Sequence, residues 1–461
     1  MRNREHQPRR AVQEVPVEGQ QVSSPTPWKE PPSWLPSALH SLAYRDFLLL
    51  VVGQISNSLS IWMDLVARSV LVIAITGSAV QLGLITVARG LPTIALAPLA
   101  GLLADRVDRR LLMLISKILS LVANAVFAAI IVTGNLELWH VYVTAIVRSL
   151  AMSFDGPARQ ALLPALVPPR LLINAVGINT GSLQMTRIIS ASVAGALIAF
   201  WAVVFGFGER DARAFGGVYL VIAVASAIAV IATYLLRVPS GGRVGRTEDS
   251  WFTSFAQGAR FVWRTPLVLG ALILIAVQSA FGVPYLQVFV PWIAIEVMGL
   301  GAGGAGLMIA VSGVGALAGA VAIAGKGHLL HHRGKIAIAG LTVYGVALAM
   351  LGLTSTLPLV TLGGLTVPLL PLAMIFLVGI GQVAVQSIRQ VLLLEVTPNE
   401  LLGRVMSFQS LDRGFTLMGG AAGGFTIALI GGPYGLALFG ALCAAGAVTV
   451  GVLNRGLRNQ D

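Results

Sequence analysis

Charged side chains interrupt stretches of this chain that are otherwise apolar, and their spacing suits them to act together. Asp64 and Arg68 lie four residues apart, so on a helix they share a face and can pair. An ionised side chain at mid-bilayer costs roughly 2.5–3.5 kcal/mol, so each one kept there implies a use. Asp64, with Arg68 beside it, is a candidate for proton coupling. Burial and a neighbouring arginine pull a carboxylate's proton affinity in opposite directions, and the balance can switch with conformation. A static structural pair fits the same two residues equally well. Arg148 and Arg187 suit a cavity or interhelix role. Asp412 and Arg413 are adjacent, so they point to different faces and need separate partners. Gln54, Asn57, Gln278, Gln382 and Gln386 are candidates for lining a cavity or for interhelical hydrogen bonds. Arg89 and Lys117 can instead snorkel to an interface.

Only long apolar helices can position these groups. Hydrophobic residues make up 56% of the chain and charged residues 11%, against about 25% charged in an ordinary soluble domain. Roughly a dozen runs are long enough to cross the hydrocarbon, and lipid requires them to be helical. The expected spans are Phe47–Thr76, Val80–Ala104, Leu111–Thr133, Leu138–Phe154, Leu171–Val204 and Phe215–Leu236, then Leu267–Val297, Ala305–Ala324, Ile336–Leu353, Leu365–Leu394, Leu401–Ile430 and Tyr434–Leu453. The formal charge of +12 falls mostly in alternate loops. Only Arg210 and Arg213 break the pattern, beside Glu209 and Asp211. This asymmetry makes the bilayer, not nucleic acid, the partner of the basic residues and places both termini in the cytoplasm. Pro92, Pro98, Pro284 and Pro291 should bend the second and seventh spans.

The domain reading follows: 1–43 a disordered cytoplasmic tail, 44–237 a six-helix bundle, 238–265 a cytoplasmic linker, 266–455 a second six-helix bundle, and 456–461 a tail. The linker starts polar and Gly-rich. From Trp251 it places Phe252, Phe255, Ala259 and Val262 at helical spacing, as in an amphipathic helix on the membrane surface or packed under the bundle.

A segment recurs half a chain later. Arg159–Leu172 reads RQALLPALVPPRLL and Arg389–Leu402 reads RQVLLLEVTPNELL, 230 residues apart. Two similar apolar halves suggest alternating access, one half rocking against the other around a central site. Gly101–Arg110 reads GLLADRVDRR: a small residue for close helix approach, then an acid among arginines placed to hold and release a gate. This segment resembles the cytoplasmic loop signature of the major facilitator superfamily. Gly101, Leu103, Asp105, Arg106, Arg109 and Arg110 match, and Asp108 stands where glycine is usual. Gly156–Pro168, followed by Asn174 and Ala175, is similar to the branch containing enterobactin exporters and macrolide efflux proteins.

The resemblance implies an all-α polytopic membrane protein of twelve helices in two pseudo-symmetric six-helix bundles, lodged as a monomer in the plasma membrane. It implies a secondary active transporter exporting small amphipathic molecules, such as antibiotics or siderophores, in exchange for protons. It adds Arg148 to the proton-coupling candidates, since many drug–proton antiporters carry an arginine there. Gly101, Asp105, Arg106, Arg109, Arg110, Asp155, Arg159 and Arg389 form the expected cytoplasmic gate. The proton gradient is the expected energy source, with no cofactor.

Other classes find less support. His328, His331 and His332 have no carboxylate or cysteine nearby, so no metal site is expected. Gly319–Lys326 lacks the spacing and the Ser/Thr of a phosphate loop. The single cysteine, Cys443, permits no intramolecular disulfide. A lipid-handling or uptake carrier on the same scaffold remains the alternative. A polytopic enzyme would need a cluster of acids, histidines or a nucleophile at one membrane face, and the sequence has none.

Overall fold

Among the described residues, apolar runs this long resolve into twelve long helices. The structure is a computed structural model, and it describes residues 36–106, 108–163, 166–208, 210–237, 259–326, 333–358, 360–362, 365–397 and 412–454, with Pro32 and Gly456. The helices are α1 (Arg45–Thr76), α2 (Ala79–Arg106), α3 (Arg109–Val132), α4 (Leu138–Leu162), α5 (Leu172–Phe205) and α6 (Gly216–Tyr234). Then come α7 (Pro266–Val277, carried on by wide turns to Val297), α8 (Gly301–Lys326), α9 (Arg333–Thr354), α10 (Leu369–Val396), α11 (Asp412–Ile430) and α12 (Gly432–Leu453). Among the described residues, eleven helices are long and apolar enough to cross a membrane. The remaining one, α4, carries His140, Arg148, Asp155 and Arg159 and is less apolar for that reason.

The helix pairings repeat at an offset of six. α3 packs on α4 and α6 as α9 packs on α10 and α12, and α2 packs on α4 as α8 packs on α10. Each set is also tied between its first and last helix. The Arg237 amide donates to Asp46 Oδ1 at 3.0 Å, and Asn454 Nδ2 donates to the Pro266 carbonyl at 2.6 Å. Large apolar side chains such as Val203 (82% exposed) and Leu429 (83% exposed) face outward, which suits lipid as their solvent.

The two sets meet along α2–α11 and α5–α8. The close contacts lie towards the end opposite the arginine-rich junctions, and small residues make them. A Cβ on Gly306 would stand 2.6 Å from the Ala191 carbonyl oxygen, and one on Gly195 2.8 Å from that of Ala302. On the other pair, a Cβ on Gly83 would stand 3.0 Å from the Gly420 carbonyl oxygen. Backbones this close gain dispersion contact that lipid tails cannot match. The cations of this end are neutralised. Arg213 pairs with Asp211 at 2.7 Å, its hydrogen bonds holding that carboxyl below the usual range, and Arg210 faces Glu296 at 3.8 Å.

Several expectations change here. The tenth span does not begin at Leu365. Leu365–Val367 pairs antiparallel with Val360–Leu362, and the helix starts at Leu369. The prolines of α7 widen it into π turns, with the Val283 amide reaching Gln278 and the Met298 amide reaching Ile293. Pro291 lacks the amide that would bond the Gln287 carbonyl, and Ser69 Oγ on α1 donates there instead at 3.1 Å. Lys117 does not snorkel. It is buried and pairs with Asp155 at 3.5 Å. Asp108, in the glycine position of the loop motif, caps α3 by accepting from the Leu111 amide at 2.8 Å. In the linker, residues 259–264 are helical, and Val262 is buried in a cluster with Val268, Ala271, Ile275 and Leu393. That helix packs under α7 and α10. The tail 1–31, the linker 238–258, the histidine loop 327–332 and the expected start of the eleventh span at 401–411 lie outside the described residues.

Replacing Gly306 with leucine should force α5 and α8 apart. Spin labels at Val203→Cys and Leu429→Cys, in a Cys443→Ser background, report the separation of this end. Gly306→Leu should lengthen the label distance, and an unchanged distribution would contradict a glycine seal.

Candidate functional site

One face of each of several helices turns towards a cavity of about 520 Å³ between the two sets. The faces follow helical spacing. From α2 come Thr86, Arg89, Gly90 and Thr93; from α4, Ala145, Arg148, Ser149 and Met152; from α10, Gln382, Gln386 and Arg389; from α11, Asp412, Arg413, Thr416 and Leu417. Asp64 and Ile61 face it from α1, and Gln278 and Gln287 from α7. The glycine contacts close one end of this space. Asp412 and Arg413, in the first turn of α11, carry its lining to the arginine-rich end.

The centre of its N-terminal wall is the Asp64 carboxylate, whose two oxygens have different neighbours. Oδ1 accepts from Arg68 Nη2 at 2.8 Å, from Arg68 Nε at 3.0 Å and from the Tyr219 hydroxyl at 3.1 Å. Arg68 is only 1% exposed, yet its remaining Nη1 donates to the Val141 carbonyl at 2.8 Å and to Thr144 Oγ1 at 3.0 Å. Its guanidinium also lies 4.7 Å from the centre of the Phe127 ring. That side is a finished structural pair. Oδ2 also accepts from Arg68 Nε at 3.3 Å, and has the cavity-lining Arg148 Nη1 at 3.2 Å and Arg89 Nη2 at 3.8 Å. Arg148 is further held by Ser60 Oγ at 3.0 Å and Asn124 Oδ1 at 3.4 Å. Thus one carboxylate serves three guanidinia, with Arg68 bridging both oxygens and Arg148 and Arg89 reaching Oδ2.

The C-terminal wall is built differently. Arg187 on α5 reaches across to the other set, where Nη2 donates to Gln382 Oε1 at 3.1 Å, Ser312 Oγ at 3.2 Å and the Tyr285 hydroxyl at 3.4 Å. Its guanidinium lies 5.2 Å from the centre of the Trp62 ring. Arg389 is buried at 6% exposure, and among the described residues its Nε and Nη1 have no hydrogen-bond partner. Its repeat counterpart, Arg159, lies 3.8 Å from Asp155, one turn earlier on the same helix.

The structure gathers Asp64, Arg148, Gln278, Gln382, Gln386, Asp412 and Arg413 around one cavity, together with Arg389, which the repeat had assigned to the gate. Asp155 and Arg159 lie beyond the cavity lining with Lys117, and Arg110 donates to the Tyr234 carbonyl. Gln54 is buried in α1 with no partner for Oε1, and Asn57 is half-buried. The side chains of Gly101, Asp105, Arg106 and Arg109 lie outside the described residues. Sequence reasoning undervalued Arg89. Its place in the middle of α2 was the available signal, but the allowance for snorkelling masked it. Tyr219 and Tyr285 carried no sequence signal, because a buried tyrosine looks like any aromatic in an apolar run.

Comparison with known proteins identifies the family and the fold. The sequence matches the Major Facilitator Superfamily over residues 50–415. It is 26% identical over 216 residues to Macrolide efflux protein A of Streptococcus pyogenes, a match covering 47% of this chain and 49% of that protein. The aligned part thus spans about half the length of that relative. It is 24% identical over 410 residues to Multidrug efflux pump Tap of Mycolicibacterium fortuitum, covering 86% of this chain and 89% of that one. Among solved structures, the nucleoside transporter NupG superposes with a TM-score of 0.66 at 14% identity, over 89% of this chain and 99% of that one. A D-xylose-proton symporter superposes at 0.68 and 12% identity, over 88% and 97%. At these identities the structural likeness speaks to the fold alone.

Removing Arg68 leaves Asp64 buried with its structural side open, a change of the kind that costs about 3–5 kcal/mol when no partner compensates. Cys443 is fully buried, so a thiol-reactive fluorophore reports unfolding. Arg68→Leu should melt several degrees below the parent protein in that assay, whereas the exposed Arg413→Gln should not. Equal midpoints for all three would contradict a structural role for the Arg68 side of the pair.

Proposed function

The chain belongs to the Major Facilitator Superfamily of transporters, and on that premise we propose that it is a proton-coupled exporter of small amphipathic molecules working by alternating access. The observation that carries this reading is the cavity itself. It sits between two pseudo-symmetric helix sets, is closed by glycine contacts at one end, and has a carboxylate shared among three guanidinia in its wall. A volume of about 520 Å³ is in the range of small-molecule sites, roughly 300–1,000 Å³. Relatives named as macrolide and multidrug efflux proteins favour export over uptake.

The arginine-rich end faces the cytoplasm by the positive-inside bias, which puts both termini there and makes this conformation inward-facing. The membrane is the plasma membrane, and the working unit is the monomer. Asp64 is the proton site. In this conformation its cavity-side oxygen is occupied by Arg89 and Arg148, and the return stroke must change that partner set for a proton to bind and leave. The energy source is the proton gradient, and no cofactor takes part. Substrate enters from the arginine-rich end, the sets rock about the sealed end, and the cavity opens to the other side.

Reconstitution into proteoliposomes tests the coupling. Transport of amphipathic dyes and antibiotics should accelerate when a pH gradient is imposed. Asp64→Asn should retain downhill movement and lose the gradient dependence. A gradient response equal to wild type in that variant would remove Asp64 from the coupling.

A further inference from the structure

Among the described residues, the charges in the cavity wall do not balance. Arg89, Arg148, Arg389 and Arg413 line it against Asp64 and Asp412, an excess of two positive charges, and Arg68 stands directly behind Asp64. Arginine stays charged in proteins, so the excess cannot be removed by losing protons. Unpaired charge away from bulk water is costly, and it persists where something supplies the opposite sign.

Arg389 is where the imbalance is sharpest. It is more than nine-tenths buried, lines the cavity, and has two guanidinium nitrogens without a partner among the described residues. No ion pair within 4.0 Å is formed by it among those residues. The repeat explains how this arose. In the N-terminal copy, Arg159 has Asp155 one turn earlier, at 3.8 Å. The position 230 residues on from Asp155 is Val385, which is fully buried and apolar. The second copy has therefore kept the arginine and has no acid in the matching place.

We propose that the cavity takes an amphipathic organic anion, and that Arg389 is the residue that holds its carboxylate, phosphate or sulfonate group. Nε and Nη1 lie on different edges of the guanidinium, and each has an N–H free to donate to an oxygen of such a group. Arg413 at the mouth adds to the attraction. Met152, Val283 and Leu417 offer the apolar part of the ligand a surface. This inference rests on the reading of the cavity as the substrate site, and it is independent of where the proton binds.

Two xanthene dyes of opposite charge, 6-carboxyfluorescein and rhodamine 123, test it by fluorescence anisotropy on the purified full chain in neutral detergent. Wild type should bind the anion about tenfold or more tightly than the cation. Arg389→Gln should lose about tenfold in affinity for the anion, and Arg389→Lys should recover part of it, while Cys443-reported melting stays near wild type. Adding phosphatidylglycerol distinguishes the source of the anionic group. Displacement of bound carboxyfluorescein would assign the site to a lipid headgroup, and retention would assign it to a soluble anion. Equal or preferred binding of rhodamine 123 by wild type would overturn the proposal without any variant being made. Wild-type anion affinity in a folded Arg389→Gln protein would overturn the role of that residue. Dye binding uses no gradient, so anion binding without gradient-driven transport would count against the exporter reading alone. Gradient-driven export of cations with no anion binding would count against this inference alone.

Discussion

One carboxylate in this protein has to satisfy three guanidinia away from bulk water. Asp64 can do so because Arg68 bridges both of its oxygens from a closed side while Oδ2 also meets two guanidinia on an open one. The closed side, with Arg68, Tyr219, Val141 and Thr144, fixes α1 against α4 and α6. The open side, with Arg148 and Arg89, belongs to the cavity. Coulomb attraction is strong where water is scarce, but so is the penalty for any charge left over. The cluster is therefore stable only while its partners stay in place, and a group in that position responds to whatever enters beside it. The same logic runs through the second set of helices, where Arg187 is met by neutral oxygens and Arg389 by none that the described residues provide.

Geometry limits what these charges can do. The halves touch through glycine backbones at one end only because nothing larger fits there, and that end becomes the natural pivot. The proline-interrupted α7 adds a link between the halves, since the Gln287 carbonyl freed by Pro291 bonds Ser69 of α1. A π-turned helix with a borrowed hydrogen bond is easier to reshape than a regular one.

Much of this was legible in the sequence. Apolar length placed most of the helices to within a few residues, because lipid permits no other backbone solution, but it ended the fourth at Phe154 where the helix runs to Leu162, past the charged Asp155 and Arg159. Spacing of four made Asp64 and Arg68 a pair before any coordinates, and a 230-residue repeat exposed the two-fold plan. The rest was hidden for physical reasons. Which oxygen of Asp64 meets which arginine depends on α2 and α4, and periodicity within one helix does not report on its neighbours. For Lys117 and Arg89 the sequence leaves open that a long cationic side chain snorkels to an interface, whereas in the structure Asp155 and Asp64 are close partners. The surroundings of Arg389 were hidden in another way, because its twin Arg159 has Asp155 one turn earlier whereas the matching position here is the apolar Val385. Leu365–Val367 was read as helix because an apolar run of that length cannot be told from a strand by composition.

Distance measurements at both ends of the molecule test most directly whether Asp64 links proton binding to the rocking of the two halves. Spin-label pairs at Leu111→Cys with Lys335→Cys, and at Val203→Cys with Leu429→Cys, report the arginine-rich end and the sealed end, all four sites being exposed and divided between the halves. In reconstituted protein, lowering the pH should change the two distances in opposite senses, one end closing as the other opens, and Asp64→Asn should abolish that pH response at both ends. An identical reciprocal response in wild type and Asp64→Asn would contradict the account.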